Sequence, residues 1–299
     1  MTVALTVLAP SAATDAASRP RLQRNSIVVL NSSSGATVTD VALRDERSRV
    51  TYGAGKFWAV APKSRSVVAV DPRKGSVRRW KIGDEPFDVA VGGGSAWIPD
   101  HDGARLWRLD LATGKRTPSP VVDGPEVASA YAFGAAWVVG ADHSLRRFDP
   151  RTLKVTNTIT DVSGSVEGYE PKIASDRNTL WIADAVFNAV VRVDPQSFRI
   201  TYRNKHGGAG VAVNHFGVWS TDSFHRVWRV TRGRVTSVNS GSGAIDVAAD
   251  ARSLWIVNRF ERTLVRIDAR RLRVTRRLRL SRPPIAVATG GGFVAVAVR

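Results

Sequence analysis

Four tryptophans are each followed, three residues on, by an oxygen-bearing side chain: Asp100 after Trp97, Asp184 after Trp181, Asp222 after Trp219 and Asn258 after Trp255. His101 stands beside the first of these. A second set leads into the short apolar runs that precede the tryptophans: Glu85, Asp88, Glu126, Tyr169, Glu170, Lys172, His206 and Asp246. If such groups converge, they can hold a divalent cation, bind a cationic or polyhydroxylated ligand, or divide into acid and base where their pKa values are pushed apart. Singly, each Asp or Asn after a Trp can do no more than cap its own turn. Convergence therefore decides the matter, and convergence is a property of the fold.

Sequence motifs for catalysis are absent. There is no GxxxxGK[ST], HExxH or GxSxG and no dinucleotide glycine fingerprint. The five histidines, His101, His143, His206, His215 and His225, lack metal-ligand spacing. With no cysteine, neither a disulfide framework nor a thiolate site is available. Lys and Arg number 44 against 26 acidic residues, a formal charge of +18 that favours acidic partners in general. The densest basic stretch, RRLRVTRRLRL at 270–280, has a period of two. Leu272, Val274, Leu278 and Leu280 fall on one face and Arg271, Arg273, Arg277 and Arg279 on the other, with Arg276 breaking the pattern. That is a half-buried strand whose charges protect a sheet edge. Without interleaved aromatics it does not read as a nucleic-acid groove, and nucleic acid is not expected as a partner.

Residues 1–20 carry no repeat. Their apolar run from Val3 to Ala9, followed by small residues, resembles the end of a secretory signal peptide, although the first basic residue is Arg19. A leader over 1–20 and a single domain over 21–299 are expected, with a secreted, cell-surface or periplasmic location. No segment is long and apolar enough to span a bilayer as a helix.

The elements that must position the polar residues recur. GKFWAV returns as SAWIPD, AAWVVG, TLWIAD, GVWSTD, SLWIVN and GGFVAVAV, with anchors Trp58, Trp97, Trp137, Trp181, Trp219, Trp255 and Phe293. These are separated by 39, 40, 44, 38, 36 and 38 residues. A turn follows each of the first six anchors at Asp71, Asp110, Asp149, Asp194, Thr231 and Asp268. Four short strands at this period, with no helical stretch, predict an all-β, seven-bladed propeller. The last unit ends too soon for an outer pair of strands, and residues 26–43 supply one, with Asn31 in the Asp slot. N-terminal strands are therefore expected to pair with the C-terminal blade and close the ring.

The units SAWIPDHDGARLWRLDLATGK and SLWIVNRFERTLVRIDARRLRV resemble the repeats of YVTN-type (YncE-like) and virginiamycin B lyase-type seven-bladed propellers. The resemblance covers nearly all of residues 26–299 and implies the fold. It does not imply the lyase reaction: the Glu-x-His element that serves Mg²⁺ and proton transfer in those lyases occurs nowhere here.

In this fold the tryptophans are core, and the Asp-containing turns are structural. Arg108, Arg147, Arg192, Arg229 and Arg266, two residues before the turn slot, are expected to pair with its Asp or to lie over a ring. Connections between blades and second-to-third-strand loops emerge on one side of the disc, which brings both polar sets to the mouth of the central channel. The expected function is non-catalytic binding of a small polar ligand or protein partner there, by a monomer, with a divalent cation in the channel as the cofactor to test. Two alternatives stand beside it: a carboxylate- or metal-dependent lyase or hydrolase, and a sensor domain of a larger membrane-anchored protein.

Overall fold

Each repeat alternates apolar residues with Gly- or Asp-containing turns, so it folds as a four-stranded antiparallel meander rather than as helix. In the computed structural model, which describes residues 22–164, 170–230 and 236–299, seven such sheets form a propeller. The first blade shows the pattern in full: Val50–Gly53 innermost, then Lys56–Ala61, Ser66–Val70 and Val77–Lys81 at the rim. The innermost strands of blades two to seven are Ala90–Gly92, Glu126–Ala132, Lys172–Ser175, Gly210–Asn214, Ala244–Ala249 and Pro284–Gly290. Among the described residues the helical structure is one 3-10 turn, Pro62–Ser64, and no helix is long and apolar enough to cross a membrane.

Closure follows the expected route. Ser26–Asn31 pairs antiparallel with Phe293–Val298, and Thr37–Ala42 lies outside it, so the seventh blade is built from both ends of the chain. Asn31 holds the Asp slot as expected, its Oδ1 accepting from the amides of Ser33 and Ser34 at 3.0 Å.

Six tryptophans anchor blades one to six by one repeated geometry. Opposite each stands a small residue seven positions earlier: Thr51, Ala90, Ala130, Ala174, Ala212 and Ala248. The missing bulk leaves space for the indole, whose Nε1 donates five positions back. In blades one to three the acceptor is a backbone carbonyl, as from Trp97 to Gly92 at 3.1 Å. In blades four to six it is a side-chain oxygen of Asp176, Asn214 or Asp250, at 2.8–3.2 Å. The rings pack between sheets, Trp137 for example against Leu180, Ile182 and Val191 of the next blade.

Phe293 is not the seventh anchor. It pairs with Gly290 at the hairpin end, where blade one has Lys56 opposite Gly53. The Trp slot of blade seven is Ala295, opposite Ala288. The aromatic nearest in sequence sits two residues early, and the register overrides it.

The basic strand also differs in one respect. A bulge lets Ile267 pair with Val274 while Arg266 pairs with Arg276, so the alternation changes phase at Thr275. Arg276 is thereby turned inward, and its guanidinium donates to the carbonyls of Ser33 and Ser34 in blade seven, at 2.6 and 2.5 Å. The residue that broke the period is a staple between blades. Of the five arginines before the turn slot, Arg192, Arg229 and Arg266 lie over Trp181, Trp219 and Trp255 at 5.5–5.9 Å. Arg108 donates to Pro150 O and Arg147 to Thr156 Oγ1.

Candidate functional site

The channel mouth is set by one position at or just before each innermost strand, which in blades three to seven is the residue that pairs with the second residue after the Trp slot. Counted nine back from that slot, it is Arg49, Asp88, Ala128, Lys172, Gly210, Asp246 and Ala286 around the ring. Two cations and two anions therefore face one another across positions that carry almost no side chain. The cavity holds about 240 Å³ and has a mixed wall, with Val50, Val211 and Val287 beside Thr51, Tyr52 and Thr289.

The charges are linked. Lys172 Nζ lies 2.7 Å from Asp246 Oδ1, so a side chain from blade four reaches blade six. Between them stands Gly210, where a Cβ would come within 2.9 Å of that same oxygen. Glycine leaves the gap the lysine crosses. Burial lowers the Lys172 pKa, Asp246 opposes the shift, and Arg49 adds to it. Asp246 Oδ2 also accepts from Val287 N at 2.9 Å, latching blade six to blade seven. Asp88 repeats the latch between blades two and three, accepting from Ser129 N at 2.8 Å. Arg49, from blade one, donates to Pro171 O at 3.1 Å and lies 3.6 Å from the Glu170 carboxylate of blade four.

The other polar residues are placed differently. Asp100 is buried and accepts from the amides of Asp84 and Glu85 and from Trp107 Nε1. Asp184, fully buried, accepts from Gly164 N and Phe187 N at 3.0 and 3.2 Å. Asp222 accepts from three successive amides and from Trp228 Nε1. Asn258 donates to Ser240 O and Thr263 Oγ1. All four act as caps that hold loops of the mouth face. Replacing Asp184 with Ala orphans two amides and is expected to cost about 1–3 kcal/mol, read as a lower melting temperature.

Glu126 is buried beside Arg146, away from the ring. His206 stacks on Trp228 with centroids 4.6 Å apart. Tyr169 lies outside the described residues, as does the Thr231 turn. Glu85 and His101 form a separate cluster with Asp102 on the same face. His101 Nδ1 is 3.2 Å from Glu85 and 3.1 Å from Asp102, and the three offer ligand atoms within 4.8 Å of one another. Arg47 already lies 3.1 Å from the Glu85 carboxylate. Burial and Asp102 raise the Glu85 pKa, whereas the His101 hydrogen bond lowers that of Asp102.

The sequence reading passed over Arg49 and Ser129. Arg49 could have been found, since it stands nine before Trp58 as Asp88 stands nine before Trp97.

No protein-family model matches the chain, and no curated protein matches it by sequence. Solved structures match its shape. Hydrazine synthase from Kuenenia stuttgartiensis superposes with a TM-score of 0.66 at 12% identity, over 84% of this chain and 95% of that one. BamB from Moraxella catarrhalis gives 0.60 at 11% identity, over 93% and 95%. At such identities the likeness speaks for the seven-bladed fold alone.

Proposed function

We propose that this chain is a non-catalytic, extracytoplasmic propeller of the YVTN-like kind that binds a small polar ligand, or the tip of a protein partner, at the channel mouth. The observation that carries the reading is the set of Arg49, Asp88, Lys172 and Asp246 around a cavity of mixed polar and apolar wall. Such a mouth offers donors and acceptors on opposite sides, which suits a hydroxylated or zwitterionic molecule. It suits a bare divalent cation less, because Asp246 already holds Lys172 and two backbone amides. The apolar run at Val3 to Ala9 supports the location outside the cytoplasm.

Calorimetry with a panel of polyols, sugars and amino acids, and with Mg²⁺ and Ca²⁺, tests this on wild type, Arg49→Ala and Lys172→Met. A panel member is expected to bind and to lose about tenfold or more in affinity with either substitution. Binding that both variants leave unchanged would remove the channel from consideration. A metal response that Glu85→Ala and Asp102→Ala abolish while Arg49→Ala and Lys172→Met keep it would instead favour the cluster around His101, and with it a metal-dependent enzyme.

A further inference from the structure

The second-to-third-strand loops of blades four, five and six each expose a phenylalanine. Phe187 is 65% exposed, Phe224 65% and Phe260 72%, with Val186 beside the first. In blades one to three the corresponding loops, PKSR, HDGA and ADHS, carry none. Exposed apolar residues scattered singly need no explanation, but three in consecutive sectors of one face form an arc.

These loops are fixed in place. Phe187 N donates to the buried Asp184 carboxylate at 3.2 Å, and Phe224 O accepts from Gly243 N at 2.5 Å. Next to Phe260, Arg259 N donates to Gly243 O at 2.8 Å. Two of the rings come close to a glycine: a Cβ on Gly243 would meet the Phe260 ring at 2.8 Å, and one on Gly164 the Phe187 ring at 3.1 Å. Rigid backbone beneath exposed aromatic rings is what a preformed docking shelf requires, because little ordering entropy is left to lose on binding.

Charge indicates what would lie there. Arg259 and Arg262 are exposed on the blade-six loop and Lys205 on the connection from blade four to blade five, and none of them pairs with an acid among the described residues. Glu261, the acid among them, is held by Arg277 at 2.8 Å and by Ser242 N. We infer that the loops of blades four to six form a docking surface for an acidic polypeptide segment bearing large apolar side chains. This goes beyond the channel reading and uses none of the channel residues.

The probe is a fluorescently labelled random copolymer of glutamate and tyrosine, titrated by anisotropy against the full chain at physiological salt. Polyglutamate and vesicles of mixed phosphatidylglycerol and phosphatidylcholine are titrated alongside. The copolymer is expected to bind more tightly than polyglutamate. The triple substitution Phe187→Ser, Phe224→Ser and Phe260→Ser is expected to weaken it by about tenfold or more. Arg259→Glu with Arg262→Glu is expected to weaken it as well. If the triple variant melts lower than wild type, Phe260→Ser alone decides, at the most exposed ring. Equal affinity for copolymer and polyglutamate, or binding indifferent to the phenylalanines, overturns the proposal. Phenylalanine-dependent binding of the vesicles without binding of the copolymer overturns it too, and assigns the surface to a membrane.

Discussion

A fragment beginning at residue 44 is expected to unfold or to associate, whereas removal of residues 1–20 is expected to leave the melt unchanged. The strand lost in the first truncation, Ser26–Asn31, is an interior one, with Ile27, Val28, Val29 and Leu30 all fully buried. At about 1.5–3 kcal/mol for each such side chain, its burial is on the order of 10 kcal/mol. A domain's whole stability is about 5–15 kcal/mol. Removal also strips the partner from Phe293–Val298, whose sequence FVAVAV carries no charge or proline. An unpaired, flat, apolar edge is a template for other chains, so association competes with unfolding. Thermal melts and light scattering on both truncations check this. A monomeric 44–299 fragment with an unchanged melt would show that the ring does not depend on its closing strands.

Closure was legible because it rests on two things a sequence displays: a fixed period and an incomplete last unit. Placement within a blade was less so. Phe293 was read as an anchor because it is the aromatic in the right neighbourhood, but the register puts Ala295 in the slot, and a strand shows its pairing only through its partner. Arg276 looked like an irregularity because a bulge shifts the phase of alternation without leaving a mark in composition.

The site was legible in outline. Two of the charged residues at the ring, Asp88 and Asp246, were found because acids before an apolar strand stand out, and Lys172 was found with them. Arg49 was hidden in the run RDERSRV, where a basic residue looks like ordinary surface. What could not be read was which partner each side chain takes. Asp100, Asp184 and Asn258 are as polar as Asp246 in sequence, yet they hold mouth-face loops, whereas Asp246 reaches Lys172 and the next blade at the ring. Capping and ligand binding ask for the same residue types, and only the positions of neighbouring amides separate them.

Glu126 supplies the second large effect, a loss of stability as pH rises from about 4.5 to about 7. Its side chain is fully buried, with Oε1 2.9 Å from Arg146 and Oε2 without a hydrogen-bond partner among the described residues. Burial disfavours the carboxylate more than Arg146 favours it, and the pKa is pushed up from 4.5 to about 7. Between those values the folded chain holds a proton that the unfolded chain releases. Stability therefore falls as pH rises through this window, and stays lower above it by about 3 kcal/mol. The turn aspartates Asp71, Asp110, Asp149, Asp194 and Asp268 act oppositely, since amide hydrogen bonds lower their pKa values. Their contribution is present above their unfolded values and lost only as pH falls below them, in a separate, more acidic window. Glu85 is also raised and adds to the loss in the upper window. Glu126→Gln is expected to flatten most of the slope between pH 5 and 8 and to raise the melt at the alkaline end, with Glu85→Gln removing a smaller part. Arg146→Ala should behave in the opposite way. It leaves the Glu126 and Asp142 carboxylates without their shared cation, at about 3–5 kcal/mol, and extends the slope to higher pH as Glu126 resists ionisation further. Melts of the three variants across this pH range decide the point, and a Glu126→Gln profile parallel to wild type would place the titration elsewhere.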